Sequence, residues 1–103
     1  IHVSDLAESH FKAMEYILKE NNCNLTLNVG TGRSISVLEL IKTFEKVNKI
    51  KINFEFKNRR DGDVAISFAD TSQLIKKLNW SPQKNLEEMC KDGWKWQKRL
   101  INL

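Results

Sequence analysis

Four times along the chain, a helix-capping residue is followed three positions later by Glu or Gln and then by apolar residues at helical spacing. Asp5 with Glu8, Ser36 with Glu39, Asp70 with Gln73, and Asn85 with Glu88 all satisfy the pattern. In such a pair the cap side chain accepts from first-turn backbone, and the longer side chain reaches back to the cap. Four helix starts in 103 residues leave only short stretches for anything else.

The apolar positions set the extent of each helix. Leu6, His10, Ala13, Met14, Ile17 and Leu18 form the buried stripe of a first helix running to about Lys19, with Asn21-Asn22 as its stop. Val37, Leu40, Ile41, Phe44 and Val47 do the same for the second, and Leu74, Ile75 and Leu78 for a third that Trp80-Ser81-Pro82 breaks. A last helix carries Leu86, Met89, Cys90, Trp94 and Leu100. Between them the period changes to two. Leu25, Leu27 and Val29 alternate with polar residues before Gly30-Thr31-Gly32, which reads as a strand and a tight turn. Ile52, Phe54 and Phe56 alternate with Lys51, Asn53, Glu55 and Lys57, a half-buried strand, and Val64 to Ala69 is a third, short extended segment. The order α-β-α-β-(β)-α-α predicts an α/β or α+β fold.

Several function classes fall away. No apolar run approaches the roughly 20 residues that cross a bilayer, and no signal-peptide pattern is present, so a cytoplasmic protein is expected. Cys23 and Cys90 have no CxxC partner or neighbouring His, which reads as reduced thiols rather than a disulfide or metal framework. With 41% hydrophobic and 29% charged residues the composition is globular. The net charge of +4 leaves an anionic partner open, although Lys42, Lys46, Lys49 and Lys51 interleave with Glu39 and Glu45 as on a solvated face. The chain begins at Ile1 rather than Met, and a partial or processed polypeptide is expected.

Most conspicuous motifs have a plain structural reading. Gly30-Thr31-Gly32 stands where a strand meets a helix and phosphate can bind. It lacks GxGxxG and GxxxxGK[ST], however, and reads as a turn. His10 lies in the apolar stripe and reads as packed and hydrogen-bonded. Tyr16 precedes Lys19 by three residues, one short of the separation that aims both at one cofactor. Trp94 and Trp96 point about 200° apart on a helix, so they form no common stacking platform.

The loop Asn58-Arg59-Arg60-Asp61-Gly62-Asp63 is different. Arginine presents a rigid fork that matches phosphate, a carboxylate accepts from sugar hydroxyls, and a strand-to-loop edge is where α/β proteins bind nucleotides. The alternative is a local ion-pair network of Arg59 or Arg60 with Asp61 or Asp63, worth little at a surface.

Taken in order, "IHVSDLAESHFKAMEYI", "LNVGTGRSISVLELIKTFEKV", "RRDGDVAISFADTSQLIKKLNW" and "NLEEMCKDGWKWQK" resemble the carboxy-terminal third of UDP-glucose 4-epimerases, extended short-chain dehydrogenase/reductase enzymes. The resemblance covers almost the whole chain. It implies the carboxy-terminal substrate-binding part of that α/β fold, without the main NAD-binding Rossmann portion. Residues 1–35 would pack on or complete the edge of the absent sheet, and 36–103 would form a small substrate-binding lobe. The activity implied is interconversion of UDP-glucose and UDP-galactose through a transient 4-keto sugar, with NAD bound by the amino-terminal part. By the same resemblance Arg60 clamps the UDP diphosphate, Asp63 binds a uridine ribose hydroxyl, and Gly62 allows the turn between them. Ser67 falls on the sugar-pocket wall, where a small residue would also admit UDP-N-acetylhexosamines.

Neither the glycine-rich fingerprint, nor the catalytic serine or threonine, nor the YxxxK of the family occurs here. No catalytic, cofactor-binding or metal-binding residue is therefore expected in this chain, and none of the turnover. The expected partners are a UDP-sugar and the absent NAD domain, with a homodimer for the full-length enzyme and no membrane or nucleic acid. Helices meant to lie on the absent sheet would expose apolar faces. The alternatives are another nucleotide-sugar epimerase or dehydratase, a stand-alone basic module for nucleotides or RNA, and a purely structural interaction domain.

Overall fold

The computed structural model describes residues 1–21 and 23–102. It contains four helices: α1 (Val3–Lys19), α2 (Val37–Asn48), α3 (Ser72–Leu78) and α4 (Leu86–Ile101). The chain divides into two compact units, Ile1–Arg33 with Phe68–Lys84 and Ser34–Ser67 with Asn85–Leu103.

In the first unit α1 starts earlier than its capping signal predicts. His2 is the cap, its Nδ1 accepting from the Ser4 N–H at 3.0 Å. Asp5 is instead buried, 3% exposed, and its Oδ2 accepts from the backbone N–H of Lys84 at 2.8 Å. The carboxylate serves a distant orphan donor, which leaves capping to the imidazole. The protected face of α1 is consequently polar, with Asp5 and Ser9 buried. Leu6, Met14, Ile17 and Leu18, the stripe expected inside, are all exposed. The Asn21-Asn22 stop falls partly outside the described residues, since Asn22 is not among them.

Leu25, Leu27 and Val29 are half-buried while Asn24, Thr26 and Asn28 are exposed, so the predicted alternation is real. With Ala13 and Ile17 of α1 and Leu78 of α3 they line an open apolar cleft of about 180 Å³. Behind α3 lies the core of this unit: Leu74 has no exposed surface and Trp80 is 8% exposed. The Trp80 indole N–H has no hydrogen-bond partner among the described residues. Thr71 rather than Asp70 is the helix cap, and Asp70 Oδ1 accepts from the Ser72 N–H at 2.9 Å. That bond and the Ser72 side chain hold the Asp70 carboxyl below its ordinary range. Asn79 ends α3 in the left-handed region at φ 48°, which asparagine tolerates.

The second unit is built on α2 against α4. Both capping signals appear at the predicted positions. The Ser36 hydroxyl accepts from the Glu39 N–H at 3.0 Å, and Asn85 and Glu88 cap reciprocally, each bond 2.9 Å. Phe44 meets Trp94 edge-on at 5.9 Å and 74°, Asn48 donates to the Cys90 carbonyl at 3.2 Å, and Lys46 pairs with Glu87 at 2.8 Å. Burial, and after it the nearby Glu87 carboxylate, push the Cys90 thiol above its ordinary range. Past α2, the Glu45 carboxylate accepts from the Ile52 N–H at 2.8 Å and so ties down the departing chain.

No strand occurs among the described residues, and the α/β label holds only as far as its helices. The three segments expected as strands, around 25–29, 52–57 and 64–69, find no ladder partner among the described residues. A strand exists only by pairing, and pattern alone does not supply the neighbour. In the second segment Phe54 and Phe56 still meet edge-on at 5.6 Å, as residues two apart on an extended chain do. Yet Phe54 is 47% and Phe56 82% exposed, so the face they form is uncovered.

Candidate functional site

From Asn53 to Phe68 every residue is exposed. All three residues singled out as ligand contacts lie in this run. Arg60 to Asp63 close a turn, the Asp63 N–H donating to the Arg60 carbonyl at 3.1 Å. Gly62 holds φ +84° at its third position, a conformation that favours glycine. A Cβ on Gly62 would meet no atom within 4 Å, so the requirement is on the backbone and not on space.

The turn sets Arg60 and Asp63 face to face. Asp63 Oδ2 accepts from the Arg60 N–H at 3.0 Å and from its Nε at 3.4 Å, and Oδ1 lies 3.4 Å from a terminal guanidinium nitrogen. The Arg60 side chain is 87% exposed and that of Asp63 38%. At that exposure an ion pair contributes about 0–1 kcal/mol, so the guanidinium can leave the carboxylate for a stronger anion at small cost. The backbone N–H bond, shorter than the ion pair, keeps the carboxylate oriented. The same turn thus pairs the two side chains locally and leaves the guanidinium open to solvent. Ser67 stands exposed four residues beyond Asp63 and is not brought into this pair. Arg59 is likewise exposed.

The remaining motifs resolve as structure. Gly30 and Gly32 face Ala69 and Thr71: a Cβ on Gly30 would lie 3.2 Å from the Ala69 Cβ, and one on Gly32, at φ +68°, 2.9 Å from Thr71 Oγ1. These glycines serve close packing and a turn. His10 is hydrogen-bonded through Nδ1 to the Leu6 carbonyl at 2.7 Å, as expected, but is exposed and not packed. Trp94 packs on Phe44 while Trp96 is 61% exposed, so the two indoles do not cooperate. Among the described residues no group of His, Cys, Asp and Glu could hold a metal ion, and no helix is long and apolar enough to cross a membrane.

Two features near the run escaped sequence reasoning: the Glu45 tie to Ile52, and the packing of the glycine turn on Ala69 and Thr71. Both join residues whose spacing carries no periodic signal.

A sequence model of the GDP-mannose 4,6 dehydratase family matches residues 3–93. UDP-glucose 4-epimerases from Bacillus subtilis and Pasteurella multocida are 45% and 46% identical to the chain over 99% and 96% of its length. The chain spans about 30% of the length of the curated relatives it matches. Two crystal structures superpose on it. A UDP-glucose-4-epimerase from Stenotrophomonas maltophila with bound NAD and formylated UDP-arabinopyranose does so with a TM-score of 0.92 at 43% identity. A UDP-glucose 4-epimerase from Bifidobacterium longum in complex with NAD+ and UDP gives 0.86 at 36%. Each superposition covers 99% of this chain and 30% of the other.

Proposed function

Given that this chain belongs to the GDP-mannose 4,6 dehydratase family, we propose that it is the UDP-sugar-binding part of a UDP-glucose 4-epimerase. The observation that carries the reading is the turn in which one glycine sets an exposed arginine and an oriented carboxylate side by side. Arg60 clamps the diphosphate, its planar fork suiting two phosphate oxygens at once. Asp63 accepts from a ribose hydroxyl, and Ser67 lines the sugar pocket. NAD supplies the hydride chemistry at the sugar in such an enzyme. Gly30 and Gly32 lie against Ala69 and Thr71, and no step at the reacting carbon is assigned to the residues of this chain.

Alone, the chain has too little to hold its ligand. Two charge-assisted groups contribute roughly 3–6 kcal/mol, whereas association costs about 4–15 kcal/mol. The test is therefore a graft, in which this chain replaces the matching part of the Bacillus subtilis relative. The graft is expected to interconvert UDP-glucose and UDP-galactose, and the isolated chain to do neither. A folded graft that binds NAD but turns over no UDP-sugar would overturn the reading.

Within the graft, Ser67→Tyr tests the pocket wall. A phenol ring fills the space an N-acetyl group needs, so activity on UDP-N-acetylgalactosamine should fall at least about 10-fold while that on UDP-galactose stays within about twofold. Equal loss on both substrates would remove Ser67 from the wall.

A further inference from the structure

The dipeptide Asp-Gly occurs twice in the chain, at Asp61-Gly62 and at Asp92-Gly93. The backbone nitrogen that follows an aspartate can attack the side-chain carboxyl carbon and close a five-membered imide, and glycine, lacking a Cβ, crowds that nitrogen least. Closure asks two things of the backbone: a nitrogen free of its hydrogen bond, and an aspartate ψ free to turn. The fold treats the two copies differently.

Gly93 lies in the interior of α4, between Leu86 and Ile101. Its N–H belongs to the i→i−4 ladder and the ψ of Asp92 is held at a helical value, so the ring closes there only after α4 opens locally. Asp61 and Gly62 are instead the two central residues of the Arg60–Asp63 turn, whose backbone bond runs from the Asp63 N–H to the Arg60 carbonyl. Among the described residues neither the Gly62 N–H nor the Asp61 carboxylate makes a hydrogen bond, and Asp61 has no ion pair. Asp61 is exposed in a run that no strand pairing holds, and a Cβ on Gly62 would meet no atom within 4 Å, so no neighbour crowds the approach.

We propose that Asp61 is a site of spontaneous isomerisation, through which the turn ages into a form that no longer sets Arg60 beside Asp63. The Gly62 nitrogen bonds to the Asp61 side-chain carboxyl carbon, and the carboxyl OH departs with the amide hydrogen as water. Water then adds to one of the two imide carbonyls. Opening on the side-chain side restores aspartate; opening on the main-chain side leaves the backbone running through the Asp61 Cβ, with the former main-chain carbonyl now a pendant carboxylate. One water leaves and one enters, so no other reactant is needed. The charge is kept, but the ring closed by the Asp63 N–H and the Arg60 carbonyl gains a backbone carbon. The 3.0 Å bond from the Arg60 N–H to Asp63 Oδ2 depends on that ring and is lost with it. That the aged turn also loses a UDP-sugar rests on the roles given to Arg60 and Asp63 above.

The chain, aged in neutral buffer and then digested, should form isoaspartate at Asp61 at least about 10-fold faster than at Asp92, the internal control with the same dipeptide. Methyl transfer by a protein-isoaspartate methyltransferase marks the product, and fragment-ion mass spectra tell which peptide carries it. In urea, with α4 unfolded, the two rates should come within about threefold of each other. Asp61→Glu, whose longer side chain would have to close a six-membered ring, should remove the signal from its peptide. No isoaspartate at Asp61, or equal rates at both sites in the folded chain, would overturn the proposal. In the graft, ageing should lower kcat/KM for UDP-galactose in proportion to the isoaspartyl fraction, and the Asp61→Glu graft should keep its activity over the same time. Isoaspartate at Asp61 with undiminished turnover would establish the site and count against the clamp assigned to Arg60 and Asp63.

Discussion

Arg60→Ala in the graft is expected to lower kcat/KM for UDP-galactose by about a hundredfold. The expectation follows from what the side chain is doing before and after ligand binds. In the free turn its pairing with Asp63 is long and exposed, worth about 0–1 kcal/mol, so its loss should leave the melting temperature within error of the parent. Against a diphosphate, on the proposed reading, the same group would make charge-assisted, paired hydrogen bonds of about 1.5–3 kcal/mol each. A net loss of about 2.7 kcal/mol corresponds to two decades in rate. Arg60→Lys keeps the charge but not the fork and should recover only about one decade. Steady-state kinetics on the three proteins decide the matter. A loss below about threefold in Arg60→Ala would mean that the turn is an ion pair and nothing more.

The largest stability effect is expected at Leu74. It is the one fully buried large side chain among the described residues, and it sits in a helix of seven residues, too short to persist on its own propensity. Truncation of a buried leucine removes its transfer free energy and leaves a cavity, typically about 2–5 kcal/mol together. Leu74→Ala should therefore weaken amide-exchange protection in α1 and α3 by about two to three decades. Ile75, its neighbour, is 50% exposed, and Ile75→Ala should cost less than about 1 kcal/mol. Similar losses in both variants would show that α3 is not anchored through Leu74.

These expectations separate what a sequence states locally from what it leaves to partners. The starts of α2 and α4 were legible because each cap and its donor lie three residues apart, and the start of α1 was not, because Lys84 competes for Asp5 across most of the chain. The turn of Arg60 and Asp63 was legible for the same reason as the good caps: Gly62 and two charged neighbours define it without help. The strands failed in the opposite way. Leu25, Leu27 and Val29 do alternate in burial, but alternation fixes only which side faces inward and not whether a hydrogen-bonding neighbour stands alongside. The apolar stripe of α1 likewise marks a face that asks for a cover, and among the described residues Leu6, Met14 and Ile17 remain exposed. The meeting of Gly30 with Ala69 carried no periodic signal.

The exposed run between Ile52 and Ala69 is flanked by two local clasps, Glu45 on the Ile52 N–H and the Asn28–Gly32 turn beside residues 69–71. For flexible connecting segments in general, the entropic cost grows only with the logarithm of length, about 0.6 kcal/mol per doubling. Insertions and rewritten segments inside the run are expected to leave the helices almost untouched, and the same changes at the clasps are not. On the proposed reading, selection on ligand preference and selection on folding would fall on different residues, and a lineage built on this frame could change the sugar it accepts without having to find its fold again.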